Sequence, residues 1–329
     1  MNRKKWIDVM KGILIIFVVI GHTYLNEDIK TFIFWFHMPL FFIISGYLMK
    51  KTKGDEKYAQ NKKQYIKKKV ARYIVPYFSF YILNCILIGK FSLKSFLKLL
   101  YGGQNLGGVY WFPICMIISM ILFLQINFKV KSSEKKKLII ILLYFIAIVE
   151  SNVVKIFQIE NFVLPWCIGI LPLAITYISI GFFWREFTNR KSIVNIIVII
   201  ITLLLILLQS FNIINVKIDM KYEQYTNLIF VIVIPILFFV IVSNISKLIE
   251  KSKTISNILA YIGKSSMVIM YLHLLIKSYF IDFFGEHYLI LLYVLATIIV
   301  CCLINYIFNK NIVTRKIFIT GQIVRKGEE

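Results

Sequence analysis

The chain has 329 residues, of which 59% are hydrophobic, and a mean hydropathy of +0.77. A soluble domain of this length would be closer to half apolar, whereas several uninterrupted runs here reach the ~20 residues that cross a bilayer. The net charge of +23 would suit a nucleic-acid binder, but 31 of the 39 Lys and Arg fall at the two ends and in alternate connections between apolar runs. That pattern marks cytoplasmic loops and excludes a nucleic-acid surface.

The pattern predicts an all-α, polytopic membrane helical bundle of about ten transmembrane helices with both termini cytoplasmic. The spans fall at about 8–25, 30–49, 71–89, 109–127, 137–154, 163–183, 193–211, 226–243, 262–281 and 288–308. Residues 1–329 read as a single membrane domain, with a short basic cytoplasmic tail over 310–329. The first span lacks a small-residue cleavage site and reads as helix one, not as a signal peptide.

Span 1 carries Asp8, Lys11 and His22, and every residue between Lys11 and His22 is apolar or glycine. At about 100° per residue, Lys11 and His22 are separated by about three turns and share one stripe, with Asp8 a turn before Lys11. Ionisable groups in a membrane helix are costly and are functional candidates. The alternative is a neutral histidine hydrogen-bonded inside a bundle.

Span 2 opens on Phe36-His37-Met38-Pro39-Leu40-Phe41-Phe42 and continues through Ser45-Gly46. A membrane proline frees a backbone carbonyl and lets the helix bend, and Ser45-Gly46 permits close helix packing. The short connection makes spans 1 and 2 an antiparallel hairpin. His22 and His37 then differ in depth by only about 6 Å and are able to share one external-facing cavity.

Span 3 begins with Arg72 in a run that includes Lys67, Lys68 and Lys69 and leads to Pro76-Tyr77. Positive-inside bias alone would explain Arg72. Between spans 3 and 4, Phe91, Leu93, Phe96, Leu97, Leu99 and Leu100 interleave with Lys90, Lys94 and Lys98, as in an interfacial amphipathic helix. Gly102, Gly103, Gly107 and Gly108 form a flexible stretch before Tyr110-Trp111-Phe112, which reads as an interface anchor. The 212–225 connection reads as a polar external loop. His273, mid-way along span 9, reads on its own as a packing histidine, and His287 as a solvated loop residue.

The five cysteines all fall in predicted spans without CxxC spacing, so they indicate neither a disulfide framework nor a metal site and read as apolar filler. No nucleotide-loop or zinc-helix motif is present, and no internal repeat is evident.

Taken together, the motifs resemble the acyltransferase-3 family of integral membrane acyltransferases, which modify surface carbohydrates. The family's span-1 signature, a basic residue followed after ten residues by His, matches Lys11 and His22, with Asp8 and Gly12 also matching. Here Lys11 replaces the commoner Arg, so it would bind phosphate as a point charge and not as a planar fork. The second-span signature matches Phe36 to Phe42 with Ser45-Gly46, the basic segment before Pro-Tyr matches Arg72, and the Trp-Phe element matches Trp111-Phe112. The late pattern matches Gly263, Ser265, Tyr271 and, more loosely in spacing, His273.

The resemblance implies an O-acyltransferase that moves an acyl group, most often acetyl, from cytoplasmic acyl-CoA to a hydroxyl of a cell-surface or exported polysaccharide or its lipid-linked precursor. It implies acyl-CoA as co-substrate, no bound cofactor and no metal. His22 would be the general base, or a brief acyl carrier, and His37 would orient it, stabilise the oxyanion or bind sugar. Lys11 and Arg72 would hold CoA phosphates, with Asp8, Ser45, Trp111 and His273 in support. The expected setting is the bacterial cytoplasmic membrane, with the lipid bilayer, a glycan acceptor and other glycan-assembly membrane proteins as partners and no nucleic acid. Some family members carry an extra extracytoplasmic esterase-like domain. None is seen up to residue 329, so the membrane domain itself is expected to serve the acceptor. Two alternatives remain at this point: a glycan translocator that forms no bond, and a non-catalytic sensing or assembly subunit.

Overall fold

The structure, a computed structural model, describes residues 4–49, 62–106, 108–156, 163–184, 192–285 and 289–321. Gly107, His287, the whole basic 50–61 segment and residues 322–329 of the tail lie outside them.

The chain forms helices α1 (Lys5–Gly21), α2 (Glu27–Phe34), α3 (His37–Tyr47), α4 (Lys62–Ile88), α5 (Leu93–Leu100), α6 (Trp111–Lys129), α7 (Ser133–Ile156), α8 (Leu171–Trp184) and α9 (Ser192–Ser210). A two-stranded antiparallel hairpin follows, β1 (Ile218–Asp219) with β2 (Gln224–Tyr225). The remaining long helices are α10 (Phe230–Glu250), α11 (Lys253–Lys264), α12 (Ser266–Phe284) and α13 (Ile290–Lys310). Eight helical stretches among the described residues are long and apolar enough to cross a membrane. The first and seventh expected spans are occupied by shorter apolar helices, the 17-residue α1 and the Val194–Ser210 stretch of α9. The architecture is the polytopic helical bundle that the hydropathy predicts.

Three local expectations need correction. The second span is broken: α2 ends at Phe34 and α3 starts at His37, two residues before Pro39, so the proline sits in the first turn of a helix, where its missing N–H costs no bond. The 212–225 connection is not a plain polar loop. Val216, Ile218, Met220 and Tyr225 are buried, and the hairpin is tied down by Trp35 Nε1 donating to the Val216 carbonyl (2.8 Å) and by the Tyr225 N–H donating to Ser151 Oγ (3.1 Å). Trp111 is not an interface anchor; it is 5% exposed and starts α6 inside the core. The start of the tail folds back through Ile312–Thr314 and a π-helical turn over Arg315–Thr320, and Gly321 lies so close to the Ala71 carbonyl that a Cβ there would collide with it.

The expected amphipathic segment is present as α5, with Leu93, Leu97 and Leu100 exposed and Leu99 buried. The glycines after it take left-handed backbone, φ 113° at Gly102 and 74° at Gly103, which makes them turn residues with a fixed conformation.

Two crossings set the positions of the helices that matter most. α1 packs chiefly on α11, and α3 chiefly on α8. In each crossing, paired glycines bring backbone onto backbone. A Cβ on Gly12 would meet the Leu259 carbonyl, and one on Gly263 the Asp8 carbonyl. A Cβ on Gly46 would meet the Ile178 carbonyl, and one on Gly181 the Ile43 carbonyl. Without a hydrophobic gain from burying apolar groups in lipid, such close contact is what holds membrane helices together. We predict that Gly181→Ala destabilises the protein by about 1–3 kcal/mol, because the overpacked atom faces backbone that cannot rotate away. The check is thermal unfolding of detergent-solubilised protein, in which an unchanged midpoint would contradict it.

Candidate active site

One cavity of about 460 Å³ runs through the bundle. It starts where the basic connections lie and extends past the ends of α1 and α2. At the basic end its wall carries Lys11, Lys69, Arg72 and Lys264. Its middle is lined by Phe41, Ser45, Trp111, Phe112, Met116 and Met120, and its far end by His22, Phe34 and His37 with Lys30, Asp219 and Lys221. Lys11 and His22 therefore face the same space, separated along α1 by about 16 Å.

The local fold places each of these groups. α1 is apolar on all sides between Lys11 and His22, so it is surrounded by protein, and its few polar residues must look into a cavity or find partners. His22 is the residue that ends α1, and its Nδ1 is 2.7 Å from the Val18 carbonyl. A carbonyl only accepts, so the proton is on Nδ1 and the lone pair of the neutral ring is on Nε2. His37 makes the same bond one turn back, to the Ile33 carbonyl at 2.8 Å, and so does His273, to Ile269 at 3.0 Å and Met270 at 2.9 Å. All three imidazoles are locked in one tautomer with Nε2 bare. This is the tautomer that a base needs.

His22 and His37 share one cavity, as the hairpin depth allows, and a third histidine packs on the first. The Phe34 ring packs near both, 6.5 Å from His22 and 4.9 Å from His37 between ring centroids. The imidazole directly against His22 is that of His273, with centroids 5.0 Å apart and an edge-to-face angle of 74°. His273 is fully buried behind the wall, and its Nε2 has no hydrogen-bond partner. Asp8 also lies behind the wall, 4% exposed, with its carbonyl against Gly263. Ser45 is on the wall and is in reach of the Tyr73 hydroxyl.

Several wall residues were missed in the sequence. Lys69 was part of a basic run with a topological explanation. Lys264 follows the Gly263 that packs on α1, so the α1–α11 crossing delivers it to the cavity. Lys30 and Lys221 come from α2 and the hairpin, and with Lys277 of α12 they lie close enough to His22 to act on it electrostatically. Asp219, beside Lys221, accepts the backbone N–H groups of Lys221 (3.1 Å) and Tyr222 (3.3 Å). Burial pushes its carboxyl pKa up, against those hydrogen bonds and the nearby charges of Lys217 and Lys221. Among the described residues no group of three or more His, Cys, Asp or Glu forms a metal cluster.

The arrangement has four cations at one end, an apolar middle and tautomer-locked imidazoles at the other end, inside a helical membrane bundle. It suits a long ligand with an anionic head and a reactive tail, as a membrane acyltransferase requires. The chain belongs to the acyltransferase-3 family: residues 4–308 match the family described as Acyltransferase domain. It is also similar to Nodulation protein NolL of Sinorhizobium fredii (strain NBRC 101917 / NGR234), at 32% identity over 140 residues, covering 37% of this chain and 36% of that protein. The match thus spans only about a third of the relative's length. No solved structure matches the chain.

The continuous wall makes a prediction about access. In a background without the five native cysteines, Ser45→Cys should react with a small water-soluble maleimide in detergent-solubilised protein. Ser119→Cys, on the fully buried Ser119 of α6, should not. Equal protection of both would show that the middle of the cavity is closed.

Proposed function

We propose that this membrane acyltransferase takes its acyl group, acetyl in the first instance, from acyl-CoA at the cytoplasmic face and transfers it to a hydroxyl of a cell-surface or exported glycan, or of its lipid-linked precursor, in the bacterial cytoplasmic membrane. The observation that carries this reading is the single cavity shared by Lys11 and His22. CoA phosphates would pair with Lys11 and Arg72, helped by Lys69 and Lys264. The thin pantetheine arm would lie along the apolar middle, past Ser45 and Trp111, and carry the thioester about 16 Å to His22.

At that point His22 Nε2 takes the proton from the acceptor hydroxyl as its oxygen attacks the thioester carbon. The C–S bond breaks, an O-ester forms, and the proton passes from His22 to the departing thiolate. The Nδ1–H bond to Val18 keeps the ring oriented throughout. His37, held by the same kind of bond, faces the acceptor end of the cavity, where it would bind the sugar or the developing oxyanion. His273 packs on the His22 ring and, with Asp8 behind Lys11, acts as support. Lys30 and Lys221 at the far mouth suit an acceptor that carries a phosphate or carboxylate.

The test is acyl transfer by purified protein in lipid nanodiscs, with radiolabelled acetyl-CoA and a glycan fraction from the host. His22→Ala should lower the rate by about 10²–10⁴-fold, the range of general-base catalysis, with normal insertion and unfolding temperature. Wild-type transfer by that variant would end the assignment of His22. Lys264→Gln should raise KM for acetyl-CoA roughly tenfold, about the loss of one charge-assisted hydrogen bond, with a much smaller effect on kcat.

A further inference from the structure

We propose that Glu150, Glu223 and Gln104 form a binding site for a divalent cation of the calcium type at the far end of the bundle, outside the acyl-transfer cavity. The three residues come from α7, from the hairpin just before β2, and from a short 3-10 turn after α5. The two glutamates meet at Gly169. A Cβ built on Gly169 would meet a carboxylate oxygen of Glu150 and one of Glu223, so the two carboxylates converge beside Gly169. Gln104 is 4% exposed; its Nε2 donates to the Lys221 carbonyl at 2.6 Å, and its amide N–H also donates to the Glu223 carboxylate, which leaves its Oε1 free.

Two buried oxygens of this group, Gln104 Oε1 and Glu223 Oε1, have no hydrogen-bond partner. Buried polar oxygens are almost always satisfied, so two orphans in one group call for a partner. Glu223 is 5% exposed, and it holds a left-handed backbone, φ 56°, that few side chains adopt. A proton shared between the facing Glu150 and Glu223 oxygens would relieve their repulsion but would leave both orphans as they are. One hard cation between the two glutamates would take their facing oxygens and the Glu223 orphan, with Gln104 Oε1 as the nearest buried neutral oxygen left to complete the set. Two carboxylates and an amide oxygen are a donor set for calcium, which takes oxygen ligands in flexible geometry and completes its shell with water or carbonyls.

The electrostatics agree. Burial, and then Glu150, push the Glu223 carboxyl up to about 7, with Gln104 opposing them. The other titratable groups acting with Glu223 are the Cys115 and Cys167 thiols and the Tyr225 phenol, none of them a cation. Metal-free protein should therefore lose stability as pH rises from about 4.5 to about 7: a raised carboxyl pKa means the folded state holds the proton more tightly, and that advantage disappears as the proton leaves. Calcium should remove this loss.

Equilibrium dialysis with radioactive calcium on EDTA-stripped, detergent-solubilised protein tests the proposal, together with thermal unfolding at pH 5 and 7.5. The expected result is saturable binding of a single calcium per chain and a higher unfolding temperature at pH 7.5. Affinity should fall by about tenfold or more in Glu150→Gln and in Glu223→Gln, and stay unchanged in Glu134→Gln, at the exposed start of α7. No saturable binding by wild type, or binding that survives both substitutions, would overturn the site. So would a wild type stabilised by acid, but indifferent to calcium, with Glu223→Gln insensitive to both: that result would assign the pair a shared proton. Because the readout is binding and unfolding, it stands apart from any failure of the acyl-transfer reading.

Discussion

Backbone contact at four glycines governs how the helices of this protein stand. In lipid, apolar side chains gain nothing by leaving their neighbours for one another, so helices associate through close packing and hydrogen bonds. Gly12 and Gly263 let α1 lie directly on α11, and Gly46 and Gly181 let α3 lie directly on α8. The first crossing puts Lys11 and Lys264 on the same wall. The second holds α3 so that Ser45 and His37 face the space opposite. A wider spacing at either crossing would separate the cations from each other and the two histidine-bearing segments from the cavity.

Within that frame the chemistry rests on a repeated local device. Each of His22, His37 and His273 spends its Nδ1 proton on a carbonyl one turn earlier, so the helix that carries the ring also fixes its tautomer. The helix supplies both the position and the electronic form of the base, with no need for a separate carboxylate to orient it. What distinguishes the three is their surroundings: His22 and His37 face the cavity, and His273 stands behind His22 with its ring edge-on.

How much of this was legible in the sequence depends on range. The Lys11–His22 stripe needs only helical periodicity, and it holds because α1 is continuous from Lys5 to Gly21. The helical bundle follows from hydropathy, and the close packing of Gly46 from its neighbours in the motif. Facts set by distant contacts were hidden. The hairpin has strands of two residues each, too short for any alternation signal, and it is held by Trp35 and Ser151 from elsewhere in the chain. The meeting of His22 with His273 depends on α12 lying beside α1, which hairpin depth between the first two spans does not reveal. Lys264 sits next to a glycine whose partner is in the first helix, and Lys69 was masked by a charge bias with its own explanation. Glu150 was one carboxylate in an apolar helix until Gly169 and Glu223 came beside it.

The returning tail changes what counts as the end of this molecule. Ile319 lines the cavity, close to where Gly321 touches the backbone of Ala71 and Arg72. The segment that composition marks as a basic appendage is therefore a piece of the doorway on the cation-bearing side. Shortening the chain before Arg315 would remove part of an enclosure, and a bulky fusion placed there would stand in the path by which a nucleotide-headed molecule arrives.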